Sequence, residues 1–496
     1  MKNKKNQKSA IKFFFFIVII ASISIFNFTG CKIMANTNNN ISNNSNQTND
    51  SSENNQTMES NPLISINSET TYAILESGSE TGNESAKHGD EANENNPNES
   101  TAAKSEPLSQ DLLDNMENIS KNPIAMSSFE TKGVPSNFII KDNFAFITWG
   151  YVDTKANSFG GLSIIDITNK KNPLSLAVVD LKGIPFDMII DKNYCYILWG
   201  KEDTNGKQNG GLNIINISNK NKPESLSELS FETIPLKMYT VEDYIYIVYQ
   251  THLSVIDVRN KEIPEIINSF NPNNSLKHVF MTQDYQYLIT EKITQNENDE
   301  KTVKSTLEII EVNDIRNFVS VGNIGFNGSI YDVSIEKDFA FVLCENELKI
   351  LNIKNKNTPA VVGTVKVSGN YLNINGETAF IGSSLGISTV DLINKENPQK
   401  KSFYTSAHLI SNIEIFGKYL YSTWVDRDNN NNFSSVNSGV EIFDTSASNN
   451  TSIVENLSIQ NYILNIYKEQ NYLFIAWGTM ERDYNRTGGI TIVELY

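Results

Sequence analysis

The residues best suited to chemistry fall in four polar loops, at positions 150–161, 200–211, 425–439 and 478–489, each set between apolar segments. All four tryptophans, Trp149, Trp199, Trp424 and Trp477, stand at the entrances to these loops. Indole rings lined up beside polar loops would make an aromatic wall that stacks on sugars or anchors a peptide. The competing expectation is that the rings pack between neighbouring strands. The loops also supply oxygen, from Asp153, Asp203, Asn205, Asp426, Asp428, Asn430 and Asp483. The four tryptophans with Asp153, Asp203 and Asp483 form the candidate ligand-binding set. Hard cations take several such oxygens, so Asp426, Asp428 and Asn430 are candidate calcium ligands. That loop departs from the calcium pattern where Asn431 replaces a glycine and Asn437 a bidentate glutamate. No other cofactor is implied.

Catalytic signals are sparse. The four histidines, His88, His252, His278 and His408, have no metal-ligand spacing. No glycine-rich phosphate loop follows a strand, and no serine sits at a nucleophile elbow. No catalytic residue is assigned, and binding is favoured over enzymatic work. Asn137, Asp187, Lys237, His278, Asp332, Asn412 and Asn465 occupy similar places on successive strands. Hydrogen bonding within the fold is their expected role.

These loops belong to a repeat. The run Leu162-Ser163-Ile164-Ile165-Asp166-Ile167 returns, in varied form, at Leu212, Leu253, Leu307, Leu348, Ile387, Val440 and Ile490. A spacing of roughly 40–55 residues marks a repeat architecture. Ahead of each copy lies a second segment alternating two aromatics, such as Phe144/Phe146 and Tyr194/Tyr196, with Thr378/Phe380 as the departure in repeat six. Period-two alternation of aromatic and β-branched residues reads as strand. Polar turns and two further strands complete a four-stranded antiparallel unit. Asp166, Asp257, Asp391, Asp444, Glu311 and Glu494 end the third strands and are expected to cap turns. A sheet apolar on both faces must bury both against neighbours, and radial repetition does this. The expected fold is all-β, an eight-bladed β-propeller, with seven blades as the alternative if repeat six is something else. Repeat eight lacks a fourth strand, while Lys121-Asn122-Pro123-Ile124 resembles the start of one in Lys171-Asn172-Pro173-Leu174. An N-terminal strand over 122–130 is therefore expected to complete the last blade.

The aromatic strand, the Leu-x-Ile-Ile-Asp-Ile strand and the Asn-Lys-x-x-Pro turn together resemble the LVIVD-repeat family of propellers, over residues 122–496. The resemblance implies an exported or surface protein and carries over no catalytic residue.

The N-terminus reads differently. Lys2, Lys4, Lys5, Lys8 and Lys12 precede an apolar run and then Phe28-Thr29-Gly30-Cys31. This resembles a bacterial lipoprotein signal, in which the cysteine is lipidated. Residues 1–30 are read as signal peptide, 31–108 as a disordered Asn/Ser/Glu-rich tether, 109–121 as a short helix or linker, and 122–496 as the propeller. Cys31 would then be the membrane partner, placing the protein in the bacterial cell envelope, at the cell surface or facing the periplasm. A net charge of −17 repels nucleic acid and anionic lipid. Cys195 and Cys344 lie in strands of different repeats and read as buried hydrophobes. The functional expectation is a tethered binding or scaffold module for an extracellular glycan, peptide or envelope protein. A polysaccharide-active hydrolase or lyase, or a purely structural component, is the alternative.

Overall fold

Strand follows strand from residue 124 to residue 494, with no helix among the described residues. The computed structural model describes residues 123–495 apart from 156, 204, 273, 283, 297–300, 428–432, 447–451, 460 and 480–486. The signal, Cys31, the tether and the 109–121 segment lie outside the described residues.

The first strand, β1 (Ile124–Thr131), stands apart. Blade one is β2 (Val134–Lys141), β3 (Phe144–Val152), β4 (Ser158–Asp166) and β5 (Leu174–Leu181). Six more blades follow in chain order: β6–β9 (184–231), β10–β13 (237–270), β14–β17 (275–327), β18–β21 (330–366), β22–β25 (371–405) and β26–β29 (409–459). Blade eight is β30 (Tyr462–Glu469), β31 (Tyr472–Gly478) and β32 (Gly488–Glu494), with β1 as its outer strand. Ile124 lies opposite Glu494 and Thr131 opposite Gly488. The expected closure by both termini is therefore present. The count is eight, not seven, and repeat six is an ordinary blade.

The core lies between blades rather than within one layer. Eight apolar clusters each join two neighbouring blades, one at every junction of the ring. Phe138, Ile147 and Ile165 of blade one meet Phe474, Ile490 and Ile492 of blade eight, which closes the circle. Cys195 and Cys344 are buried in different junctions as free thiols, so they act as small apolar groups. Burial pushes the Cys344 thiol up to about 11.

Turn chemistry recurs with the repeat. The carboxylates of Asp166, Asp257, Asp391 and Asp444 accept the backbone N–H two residues on, at 2.8–3.0 Å. These bonds favour the ionised form and lower the Asp166 and Asp391 pKa values. The lysine that follows in the Asn-Lys turn does more than solvate a loop. Lys220 Nζ donates to Ile217 O at 2.7 Å and lies 5.6 Å from the Phe144 ring of the preceding blade. Lys170 does the same over Tyr472, Lys261 over Tyr194, Lys356 over Tyr285 and Lys395 over Phe339. Each lysine thus latches one blade to the aromatic strand of the blade before it. Replacing Lys220 with Ala should lower the unfolding free energy by about 1 kcal/mol, from the lost cation–π contact and hydrogen bond. A urea titration reads this, and an unchanged midpoint would leave the latch without energetic weight.

Candidate functional site

The hairpins between second and third strands share a face of the ring with the links between blades. Hence a Cβ on Gly160, in the hairpin of blade one, would lie 2.1 Å from Gly183 O in the link to blade two. On this face the hairpins of blades three and six are tight, closed by Tyr249 N donating to His252 O and by the Ser383–Gly386 pair. Those of blades one and two run on as Val152 to Ser158 and Glu202 to Gln208.

The four tryptophans sit where these extended hairpins begin, but they are packed and not presented. Trp149, Trp199 and Trp424 are 2–3% exposed and Trp477 is 7% exposed. Each faces a glycine across the ladder: Trp149 opposite Gly161, Trp199 opposite Gly211, Trp424 opposite Gly439 and Trp477 opposite Gly489. The ring lies over that glycine, and a Cβ on Gly161 would come within 2.3 Å of the Trp149 ring. Trp149 Nε1 donates to Ser163 Oγ at 2.9 Å, and Trp424 Nε1 to Asn456 Oδ1 at 3.1 Å. This departs from the expected aromatic wall. Strand parity could not decide it, because both faces of a blade are buried.

A second contact was absent from the sequence reading. Gly160, Gly210 and Gly488 leave room for Pro185, Pro235 and Pro135, whose Cδ atoms would lie 2.3–2.6 Å from an added Cβ. Each proline begins the next blade, so three successive junctions interlock glycine against proline. The signal was legible as Val134-Pro135, Ile184-Pro185 and Ile234-Pro235, one at the head of each blade.

The loop carboxylates mostly serve their own turns. Asp153 Oδ1 accepts from the backbone of Lys155 and Asn157 at 2.8 Å, and Oδ2 accepts from Asn157 Nδ2 at 2.9 Å. Burial alone would raise its pKa, but the bonds from Asn157 and Lys155 outweigh it and the pKa is lowered. Asp203 accepts from Asn205 and Lys207 in the same manner. Asp483, Asp428 and Asn430 lie outside the described residues. Asp426, the remaining calcium candidate, is engaged by His408. Among the described residues no group of three or more His, Cys, Asp or Glu is disposed to hold a metal ion.

Of the groups that this face does offer, Asp426 alone was singled out from sequence. On blade one the Tyr151 and Phe159 rings stack at 5.0 Å and 17°, and Phe159 is 40% exposed. At the junction of blades six and seven a polar centre is built around His408. Its Nδ1 lies 2.5 Å from Asp426 Oδ1, and its ring stacks on Trp424 at 3.8 Å and 14°. Ser406 Oγ accepts the His408 N–H at 3.1 Å and stands 3.5 Å from Glu441 Oε2. Tyr404 reaches the other Glu441 oxygen at 3.5 Å. Burial pushes the Glu441 carboxyl up, against the pull of nearby His408. Leu385, at the tip of the blade-six hairpin, is 70% exposed and accepts the Ser406 N–H with its carbonyl.

The family model of the LVIVD repeat matches residues 239–271 and 327–367, in blades three and five. Blades three and five thus carry LVIVD repeats, and the chain as a whole is an eight-bladed β-propeller. A search of curated proteins finds no match. Among solved structures the chain is similar to a functionally unknown protein from Desulfotomaculum acetoxidans DSM 771, at 12% identity over 56% of this chain and 86% of that one, TM-score 0.34. It is similar to the AfRom2 CNH domain at 9% identity, covering 63% and 94%, TM-score 0.39. A hypothetical selenium-binding protein from Sulfolobus tokodaii matches at 13% identity, covering 65% and 78%, TM-score 0.37.

Among the recurring polar residues of the innermost strands, Asp187 and Asp332 stitch blades together. A bulge precedes the polar residue in six of them, as between Pro185 and Asp187 or Ile330 and Asp332. Asp187 accepts from Met188 N at 2.9 Å, from Asn137 Nδ2 at 3.2 Å and from Met238 N of the next blade at 2.8 Å. Asp332 repeats this with Val333 N at 2.7 Å and with Leu372 N of blade six at 2.6 Å. Asn412 caps the following amide and donates Nδ2 to Glu414 at 3.2 Å, and Asn465 caps the following amide. His278 is 5% exposed, and its buried Nε2 meets no partner among the described residues. Hydrogen bonding within the ring, rather than chemistry, is the role of most of this set.

Proposed function

We propose that the chain is a lipid-anchored, exported binding module whose hairpin face recognises an extracellular glycan, peptide or envelope protein. The observation that carries this reading is the uneven face. Hairpins are extended in blades one and two and tight in blades three and six, and recognition groups gather there, half-buried Tyr151 with exposed Phe159 and part-buried His408 with Asp426. Rings that stack on a ligand and a few placed polar groups are what such a site needs. Anchoring rests on the Cys31 segment and a tether of about 75 residues, with an r.m.s. reach of roughly 45–50 Å.

The test of binding is a screen of glycans and peptides against the full chain, repeated with Phe159→Ala and Tyr151→Ala. These variants alter exposed Phe159 and half-buried Tyr151, so loss of a captured ligand with an unchanged urea midpoint reports the site itself. A ligand indifferent to both would place recognition elsewhere. For the anchor, Cys31→Ala should shift the protein from the membrane pellet to the soluble fraction and abolish fatty-acid labelling. Continued pelleting without label would remove the lipid from the reading. The hydrolase alternative is favoured by one arrangement, His408 held between Asp426 and buried Glu441, the composition of an acid–base centre. Release of reducing ends from a polysaccharide, lost in His408→Phe, would establish it.

A further inference from the structure

We propose that a cavity between blades four and five, on the face opposite the hairpins, binds the zwitterion of a free amino acid or short peptide. The cavity measures about 610 Å³, and its walls include Tyr285, Glu311 and Val321 of blade four with Lys354, Asn355 and Lys356 of the blade-five turn. That volume lies within the range of small-molecule sites. The cavity opens where one blade breaks the repeat. Elsewhere Asp166, Asn216, Asp257, Asn352, Asp391 and Asp444 end their third strands by accepting the backbone N–H two residues on. Blade four has Glu311 in this place, one methylene too long for that short-range bond. Its third strand instead runs on to Asp314, which pairs with Asn317. Among the described residues the Glu311 carboxylate meets neither a hydrogen-bond donor nor a cation.

Opposite charges thus line one cavity without meeting. Lys354 is exposed, and it is bound through its backbone N–H, to Asn352 Oδ1 at 3.0 Å, rather than through its side chain. No ion pair joins Lys354 to Glu311, so the ammonium and the carboxylate stand more than 4.0 Å apart. Lys356 is already engaged, since its Nζ donates to Ile353 O at 2.8 Å and lies 5.3 Å from the centre of the Tyr285 ring. A ligand of a single sign would meet like charge: Glu311 opposes a carboxylate, and Lys354 with Lys356 opposes an amine. A molecule that carries both signs, held apart by a carbon frame, satisfies Glu311 and Lys354 together. The amino and carboxyl ends of an amino acid or short peptide are such a pair, and Val321 supplies apolar surface for the frame. The site lies away from the hairpin face and does not depend on the ligand proposed there.

The test is calorimetric titration of the full chain with dialanine, N-acetyl-dialanine and dialanine amide. The first probe carries both charges, the second lacks the ammonium and the third lacks the carboxylate. Dialanine should bind, and each blocked form should bind about tenfold more weakly. Glu311→Gln should remove the advantage of dialanine over its N-acetyl form, and Lys354→Met its advantage over the amide. Both residues lie outside the apolar clusters of the junction, so urea midpoints equal to the parent's are expected. Should a variant lose stability, the comparison of the three probes on the parent chain still decides. Equal binding of all three, or no binding of dialanine, overturns the proposal. So does dialanine binding that is lost in Phe159→Ala and kept in both Glu311→Gln and Lys354→Met, a result that would place the peptide on the hairpin face and favour the reading above instead.

Discussion

Trp149→Ala should lower the free energy of unfolding by about 3–5 kcal/mol, the range for truncating a buried Trp. The cause is local. The ring is 2% exposed, covers Gly161 on the facing strand and donates from Nε1 to Ser163 at 2.9 Å. Alanine would leave a cavity over a glycine that has no side chain to fill it, and would leave Ser163 without its donor. Gly161→Ala tests the same packing from the other strand. Its Cβ would fall 2.3 Å from the Trp149 ring, so either the ring or the ladder must shift, at a cost of about 1–3 kcal/mol. Urea titrations of the two variants should show both losses. A Trp149→Ala midpoint equal to the parent, with ligand capture lost, would mean that the ring serves a ligand and not the blade.

Stability should fall as pH drops from 7 to 5, and His278 should account for about 2 kcal/mol of the loss. Burial, with Lys277 and Lys237 nearby, lowers the His278 pKa from 6.5 to about 3. The unfolded chain therefore takes up a proton below pH 6.5 that the folded chain refuses. A depressed folded pKa gives stability that is fully present above the unfolded pKa and declines below it, by up to about 1.4 kcal/mol per pH unit. Asp187 and Glu441 act in the opposite sense, because burial raises their pKa values and folding then favours their protonation. The difference between the parent and His278→Gln isolates the imidazole from these acids. The two stability curves should diverge at pH 7 and converge toward pH 5. Parallel curves would show that His278 titrates freely in the fold.

Much of the architecture was legible because the repeat carries redundant signals. Eight copies of the third strand, each with an aromatic strand before it, left little freedom in blade count. The missing fourth strand of repeat eight and the orphan Asn122-Pro123-Ile124 run pointed at each other. The functional reading of the tryptophans was not legible, since a strand buried on both faces gives no alternation between inside and outside. The glycine opposite each ring was the missing cue, visible once residues are paired across the ladder. The lysine latches were read only as polar turns, because their partners lie in the neighbouring blade of the ring. The pairing of His408 with Asp426 escaped notice for a similar reason: they are 18 residues apart and meet only when a link and a hairpin share one face.

The seam between β1 and β32 also bears on the timing of synthesis. Ser128 and Thr491 share a hydrogen bond across 363 residues, so β1 waits without a ladder partner until β32 has been made. Until then the side of blade one that will meet blade eight faces water. Contacts of such long sequence separation make for slow folding. The ring therefore stays an open arc until β1 and β32 meet.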